Sequence, residues 1–379
     1  MADRVPFNQP YVGACGRRYL ELSLAGQHHA GDGPWTLRAS EALREIAGHR
    51  HVLLTTSGTH ALELACMALG LGHGDEVIVP SFTFTSTATA AARMGAVIRF
   101  ADVDRDSLSI TPETVAPVLT HRTRAIITVH YAGVADRPDE LAELARSHSS
   151  ALIEDNAHGL GGQWKGRPLG SFGCMSALSF HETKNLSCGE GGALGINDDN
   201  LLLTCEIARE KGTNRSQFFR GEVDRYTWIG PGSSFLPSDI LAALLTGQVE
   251  EFPVTQRRRH AVWTTYERGL GAWAESQGFR LPQVPDEAEH PAHLFYLMAP
   301  DAPTRERFSA HLAEHGVQAP FHYQPLHSSP GGRAASGGHQ DHCPMTTDIS
   351  GRLVRLPLFA DLSDDQVERV LSATRSFGG

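Results

Sequence analysis

Positive charge is in short supply in this chain: 33 Lys and Arg stand against 43 Asp and Glu, for a net charge of −10. No basic block offsets that balance, which argues against a general nucleic-acid binder or a binder of anionic membranes. The one basic run, Arg257-Arg258-Arg259-His260, is short and reads as a solvated helix face or a phosphate contact. Long apolar runs are missing as well. No stretch reaches the roughly 18 apolar residues of a membrane span, and the opening Met1-Ala2-Asp3-Arg4 has no apolar signal core. A soluble, cytoplasmic protein is the expectation. Cysteine is sparse and scattered over Cys15, Cys66, Cys174, Cys188, Cys205 and Cys343, with no Cys-x-x-Cys pair, so reduced thiols are expected rather than a disulfide framework. The densest group of metal-ligand types, His339, His342 and Cys343, lies in a Gly/Ser-rich segment without a second ligand pair, and no metal is expected.

What remains is a chain of 379 residues, 41% apolar and 20% charged, long enough for one large domain and a smaller one. From about residue 40 to 200 short apolar runs alternate with helical segments. Strands are expected at 76–79, 97–101, 125–129 and 151–154, with helices over 57–71, 86–95 and 139–148 and a further helix opening at Thr111-Pro112-Glu113. That alternation implies parallel β-α-β units, in which ligands bind beyond the C-terminal strand ends. Residues 163–170 read as a hairpin turning at Lys165-Gly166. Residues 212–234 form a polar, Gly-rich and aromatic loop of functional length, and 239–250 returns to helix. Composition shifts after that, so the division expected is 1–250 as a large domain with an N-terminal arm and 251–379 as a small α+β domain.

Two residues carry most of the chemical information. Asp155, in Glu154-Asp155-Asn156-Ala157-His158-Gly159, closes the apolar run Ala151-Leu152-Ile153. Lys184, 29 residues later, follows Met175 to Phe180 in Ser179-Phe180-His181-Glu182-Thr183-Lys184-Asn185. An amine and a carboxylate, each at the C-terminal end of a strand, suit pyridoxal 5'-phosphate (PLP). The lysine forms a Schiff base with the cofactor aldehyde. The carboxylate pairs with the protonated pyridine nitrogen, so that the ring accepts electrons. Upstream, Thr56-Ser57-Gly58-Thr59 precedes a helix whose free N–H groups would cradle a phosphate, although a plain Ser/Thr N-cap explains the same residues. Phe82 and Phe84 flank Thr83 after a strand, and one of them could stack on a flat ring; core packing is the alternative for each. Taken singly, Asp155 reads equally as a helix N-cap, His158 as a structural hydrogen-bond partner and Lys184 as a surface lysine.

These segments resemble the sugar-nucleotide aminotransferases of the DegT/StrS type, PLP enzymes of the aspartate-aminotransferase fold. The likeness runs through 56–62, 74–84, 129–133, Glu154-Asp155 and Gly189-Glu190-Gly191-Gly192. Within that family, 179–185, the run Lys211 to Gly221, Phe321-His322-Tyr323 and Pro325-Leu326-His327 are similar to members that make dTDP-4-amino-4,6-dideoxygalactose. The resemblance implies an α/β fold with a mostly parallel central sheet and a smaller C-terminal domain. It implies Lys184 as Schiff-base lysine and proton carrier, Asp155 on the pyridine nitrogen, and His158 near the ring. Gly58, Thr59 and Ser179 would hold the cofactor phosphate, and Phe84 would stack on the ring. Ser234 matches an Asn that in many members reaches the neighbouring subunit's cofactor phosphate; the departure puts that contact in doubt, although the members just described also carry Ser-Ser here. His181 before the lysine accompanies amination at sugar C4, where C3 enzymes carry Tyr. Arg215, Arg220, His322 and His327 are implied on the substrate side. The expected activity is transfer of an amino group from L-glutamate, through pyridoxamine phosphate, to C4 of a dTDP-linked 4-keto sugar, in a homodimer with shared sites. Two alternatives are weighed: a sugar dehydratase, whose members replace the lysine, and a non-catalytic regulatory homologue, which an intact lysine, aspartate and phosphate cradle argue against.

Overall fold

The computed structural model describes residues 4–378. Seven strands form the central sheet: β1 (His51–Thr55), β2 (Glu76–Pro80), β3 (Val97–Ala101), β4 (Thr123–Val129), β5 (Ala151–Asp155), β6 (Met175–Ser179) and β7 (Gly192–Ile196). Their order is β1-β7-β6-β5-β4-β2-β3. The run from β6 through β5, β4 and β2 to β3 is parallel, and β7 is antiparallel to both of its neighbours. Both faces are covered, as a parallel sheet requires. The two-residue period of the strands separates the faces. Val77, Val79, Ala125, Ile127, Ile153, Ala177 and Leu194 pack into one apolar cluster. Their neighbours Ile78, Ile126 and Leu152 join a second, and Leu178 and Ala193 join a third.

The expected strands and helices occupy their places with small shifts at the ends. The helix expected over 57–71 is Gly58–Ala68, because Ser57 caps it with a side-chain oxygen that accepts from His60 N. The segment after Thr111 makes only one turn, Pro112–Val115, before tightening into a 3₁₀ turn. The hairpin forms with Gln163–Trp164 against Arg167–Pro168; Lys165 and Gly166 both take positive φ, 49° and 73°, the geometry of a tight hairpin turn. The 212–234 loop contains the short helix Arg215–Phe219.

Glu251 separates the helices Asp239–Glu250 and Phe252–Gln277. The long second helix spans two apolar clusters. Phe252 packs with Leu43 and Leu178 beneath the sheet, whereas Trp263, Tyr266 and Leu270 build a C-terminal core with Phe295, Phe308, Val354, Phe359 and Leu371. Val5 also belongs to that core, which brings the N-terminal segment back across the molecule. The antiparallel pair β8 (Phe295–Met298) and β9 (Leu353–Leu356) lies at the junction. Leu294, Tyr296 and Leu353 face the sheet-side cluster, while Phe295, Leu297 and Val354 face the C-terminal core.

One expectation is corrected. Within Arg257-Arg258-Arg259-His260, Arg259 is buried and donates to the backbone carbonyls of Ala292 and His293. It ties the long helix to the approach of β8 and is neither a solvated charge nor a phosphate contact. No helix among the described residues is long and apolar enough to cross a membrane.

Candidate active site

The C-terminal ends of β5 and β6 and the start of the Gly58–Ala68 helix open onto a cavity of about 590 Å³, a size suited to a small-molecule ligand. Asp155 is the last residue of β5. Burial pushes its carboxyl pKa up, opposed by the Thr87 hydroxyl, by Ala157 N and by the charge of Lys184. Thr87 Oγ1 donates to Oδ2 at 2.8 Å and Ala157 N to Oδ1 at 3.3 Å. Lys184 lies five residues beyond β6, in the loop that returns to β7. Burial lowers its pKa to about 8, with Asp155 acting in the opposite direction and Arg355 reinforcing the drop. Its side chain is half-buried and reaches the cavity wall, and no hydrogen bond holds the amine among the described residues. A lysine in this state is a proton carrier near neutral pH, which an ordinary surface lysine is not.

The start of the Gly58–Ala68 helix meets the end of β6 at very short range. A Cβ on Gly58 would lie 2.9 Å from Ser179 Cβ and 3.3 Å from Leu178 O, so only glycine lets the two backbones approach. The opening N–H groups of that helix, with the hydroxyls of Thr59 and Ser86 paired at 2.7 Å and Ser179 opposite, form an anion cradle. The two phenylalanines separate cleanly. Phe82 is fully buried against Tyr131, while Phe84 is 58% exposed and lines the cavity.

Behind Lys184 stands a group of uncharged histidines. His158 stacks on His293 with ring centroids 4.1 Å apart. His293 Nδ1 pairs with Asn185 Oδ1 at 2.8 Å, and His322 Nδ1 with the Tyr131 hydroxyl at 3.1 Å. Burial, then the cations Lys184 and Arg355, push all three imidazoles well below their ordinary range. His158 Nδ1 is buried without a partner. The segment that carries His293 is held in an unusual backbone state: Ala292 has φ 46°, and Arg259 anchors its carbonyl.

The structure therefore gathers Gly58, Thr59, Phe84, Asp155, His158, Ser179, His181, Lys184 and His322 around one cavity. His181 stands at the mouth, with Nε2 3.7 Å from Glu190. Four expected residues do not line it. Ser234 is exposed in the 212–234 loop. Arg215 pairs with Glu210 at 3.4 Å and Arg220 with Glu206 at 2.7 Å. His327 pairs through Nδ1 with the hydroxyl of Ser81 at 2.6 Å, one residue past the end of β2. Several wall residues escaped the sequence reading: Phe7, Asn8, Ser86, His293, Tyr323 and Arg355. Thr87, the partner of Asp155, escaped as well. Thr85-Ser86-Thr87 at the head of an Ala-rich helix was a usable signal, as was an arginine between Val354 and Leu356 in a buried strand. Phe7 and Asn8 gave none.

The donor set fits PLP. A buried carboxylate faces an unbonded lysine amine, and the cradle beside them depends on a glycine whose side-chain position Ser179 occupies. Comparison with known proteins agrees. The profile of the DegT/DnrJ/EryC1/StrS aminotransferase family matches residues 17–375. The aminotransferase TlmJ from Streptoalloteichus hindustanus superposes with a TM-score of 0.89 at 29% identity, over 98% of this chain and 97% of its own. DesV of S. venezuelae, solved with a ketimine intermediate, gives 0.86 at 28% identity, over 97% and 98%. Spr1654 of Streptococcus pneumoniae, solved in apo, PLP and pyridoxamine-phosphate forms, shares the fold with a TM-score of 0.89 at 23% identity, over 99% of this chain and 97–98% of its own. By its sequence and its fold this chain belongs to the DegT/DnrJ/EryC1/StrS aminotransferase family, with PLP as its cofactor.

Proposed function

We propose that this aminotransferase takes nitrogen from L-glutamate and delivers it to C4 of a dTDP-linked 4-keto sugar, either 4-keto-6-deoxyglucose or a related 4-keto pentose. The observation that carries the reading is Lys184, half-buried in the cavity wall that Asp155 also lines, with its pKa lowered to about 8. When bound, PLP supplies the group that holds the nitrogen between the two half-reactions and a ring that accepts electrons. In this reading Asp155 holds the positive ring nitrogen, and Thr87 keeps its carboxylate oriented. Gly58, Thr59 and Ser179 hold the phosphate, and Phe84 covers one face of the ring. Lys184 removes the proton from the α-carbon of glutamate in the first half-reaction. In the second it delivers a proton to C4 of the sugar. His158 sits beside the ring as a neutral group, because burial keeps it uncharged.

The sugar assignment rests on the likeness of 179–185 and 211–221 to C4 enzymes and on His181 at the cavity mouth. Arg215 and Arg220 would hold the diphosphate, and His322 would stand on the sugar side. In a single chain Arg215, Arg220 and Ser234 lie away from the cavity wall. That arrangement suits a homodimer in which the 212–234 loop serves the partner's site. The loop exposes Phe219 and Trp228 at 70% and 78%, apolar surface that a second subunit would cover.

Glutamate should bleach the PLP absorbance of the enzyme, and dTDP-4-keto sugars should restore it with a C4 amine detectable by NMR. Lys184→Ala should retain pyridoxamine phosphate yet lose at least ~10²-fold in turnover. Near-normal turnover in that variant would remove Lys184 from the mechanism, and a C3 amine or no sugar product would remove the substrate assignment. An active monomer in sedimentation at assay concentration is incompatible with shared sites.

A further inference from the structure

Asn185 follows Lys184 in sequence and is buried. Its side chain meets three partners. Nδ2 donates to the carbonyl of Pro291 at 2.8 Å and to Gln256 Oε1 at 2.9 Å, and Gln256 Nε2 donates to the same carbonyl at 3.0 Å. A backbone carbonyl only accepts, so Pro291 decides which end of each amide is nitrogen. Asn185 then has only Oδ1 to offer His293 Nδ1, 2.8 Å away, and the imidazole nitrogen must be the donor. Burial, then the charge of Lys184, keeps that ring neutral. A neutral imidazole protonated at Nδ1 has a bare lone pair at Nε2. His293 Nε2 has no hydrogen bond among the described residues and, unlike His158 Nδ1, is not sealed from the cavity, whose wall His293 forms.

The ring is held firmly. His158 covers one face, with centroids 4.1 Å apart. Ala292 before it keeps φ at 46°, and Arg259 donates to the carbonyls of both Ala292 and His293. Backbone strain of this kind persists where the surroundings over-determine it, and it gathers at functional sites. An acceptor aimed into the cavity calls for a donor, and the wall supplies one: the Lys184 amine, which no hydrogen bond holds. The titratable and charged groups facing that amine are Asp155, His158, His293, His322 and Arg355. Asp155 is engaged by Thr87 and Ala157, and Arg355 offers only donors. His322 Nδ1 is paired with the Tyr131 hydroxyl. Of the three imidazoles, His293 alone has an acceptor nitrogen that its partners assign. We propose that His293 is the positioning residue for Lys184, its Nε2 accepting a hydrogen bond from the ammonium while the lysine carries the transferred proton. This deepens the aminotransferase reading and rests on it. A carboxylate in the same place would stabilise the ammonium and hold the proton back. A neutral acceptor aims the amine and leaves the proton transferable.

The test reads the protonation of Lys184 directly. The chain has three lysines, and the other two, Lys165 and Lys211, are exposed and serve as internal references. Wild type, His293→Asn and His293→Gln are loaded with pyridoxamine phosphate, which leaves the Lys184 amine unbonded to cofactor. Each is trace-acetylated with acetic anhydride over a pH series, and modified Lys184 is quantified by peptide mass spectrometry. Asparagine keeps an amide N–H where Nδ1 stands, so Asn185 retains its donor, and puts nothing at Nε2. Glutamine sets a carbonyl oxygen near the Nε2 position and gives up the Asn185 bond. In His293→Asn the midpoint of Lys184 reactivity should fall by ~1–2 pH units, the loss of one hydrogen bond to a charged group. His293→Gln should recover part of that shift. A midpoint unchanged in His293→Asn overturns the proposal. So does a fall in His293→Gln as large as that in His293→Asn, which would make His293 an anchor for Asn185 alone. Either result leaves the aminotransferase reading intact. A wild type that takes nitrogen from no amino acid overturns that reading instead, whatever the labelling shows.

Discussion

Replacing Lys184 with methionine should stabilise the cofactor-free protein while abolishing transfer. The side chain keeps a similar length, and the ammonium disappears. Burial lowers the lysine pKa from 10.5 to about 8, and a displacement of that size corresponds to about 3 kcal/mol of differential protonation energy. The folded-state pKa lies below the unfolded one, so between these values the unfolded chain binds more protons. The penalty is therefore fully present below pH 8, fades as pH rises towards 10.5, and is absent above. Two effects reduce the gain from removing it. The amine retains some contact with cavity water, and Asp155 loses a neighbouring positive charge. A net stabilisation of ~1–3 kcal/mol at pH 7 is expected. Urea denaturation of cofactor-free wild type and Lys184→Met at pH 7 and near pH 10, at equal protein concentration, measures it as a rise in midpoint. The advantage should shrink at the higher pH because the wild type recovers stability there. A variant no more stable than wild type at pH 7, or an advantage that does not depend on pH, refutes the claim that the amine is held against its preferred charge.

Other outcomes follow from the same geometry. Asp155→Asn removes the charge opposite the ring nitrogen, and the glutamate half-reaction should slow by ~10²-fold or more, the cost of breaking a buried charge pair; an unchanged single-turnover rate would exclude that role. Gly58→Ala places a Cβ 2.9 Å from Ser179 Cβ, an overpacking worth ~1–3 kcal/mol; PLP affinity by dialysis should fall, and an unaltered affinity would argue against this helix start as the phosphate cradle. Arg215→Ala and Arg220→Ala should raise the apparent KM for the nucleotide sugar and spare the glutamate half-reaction. Equal losses in both halves would instead assign these arginines to the ion pairs with Glu210 and Glu206.

The sequence by itself determined the alternation of strands and helices, because both its periods were intact: β3 and the Asp239–Glu250 helix occupy the residues expected. It also determined the order and strand-end placement of Asp155 and Lys184, since in a parallel sheet successive strands deliver their C-terminal ends to the same edge. Local signals such as Ser57-Gly58-Thr59 and Lys165-Gly166 needed no partner from elsewhere in the chain. Tertiary structure decided the rest, and always where two distant segments meet. Only packing distinguished Phe82 in the core from Phe84 on the cavity, one alternation apart on the same stretch. Only packing turned Arg259 inward to bind Ala292 and His293, because its three basic neighbours give the same local pattern as a solvated face. Thr87 reaches Asp155 across 68 residues, and Phe7 reaches Arg355 across the length of the chain. The lowered pKa of Lys184 is likewise a property of the folded cavity: no neighbour in sequence causes it, and it exists only once strands, N-terminal segment and C-terminal core close around the amine.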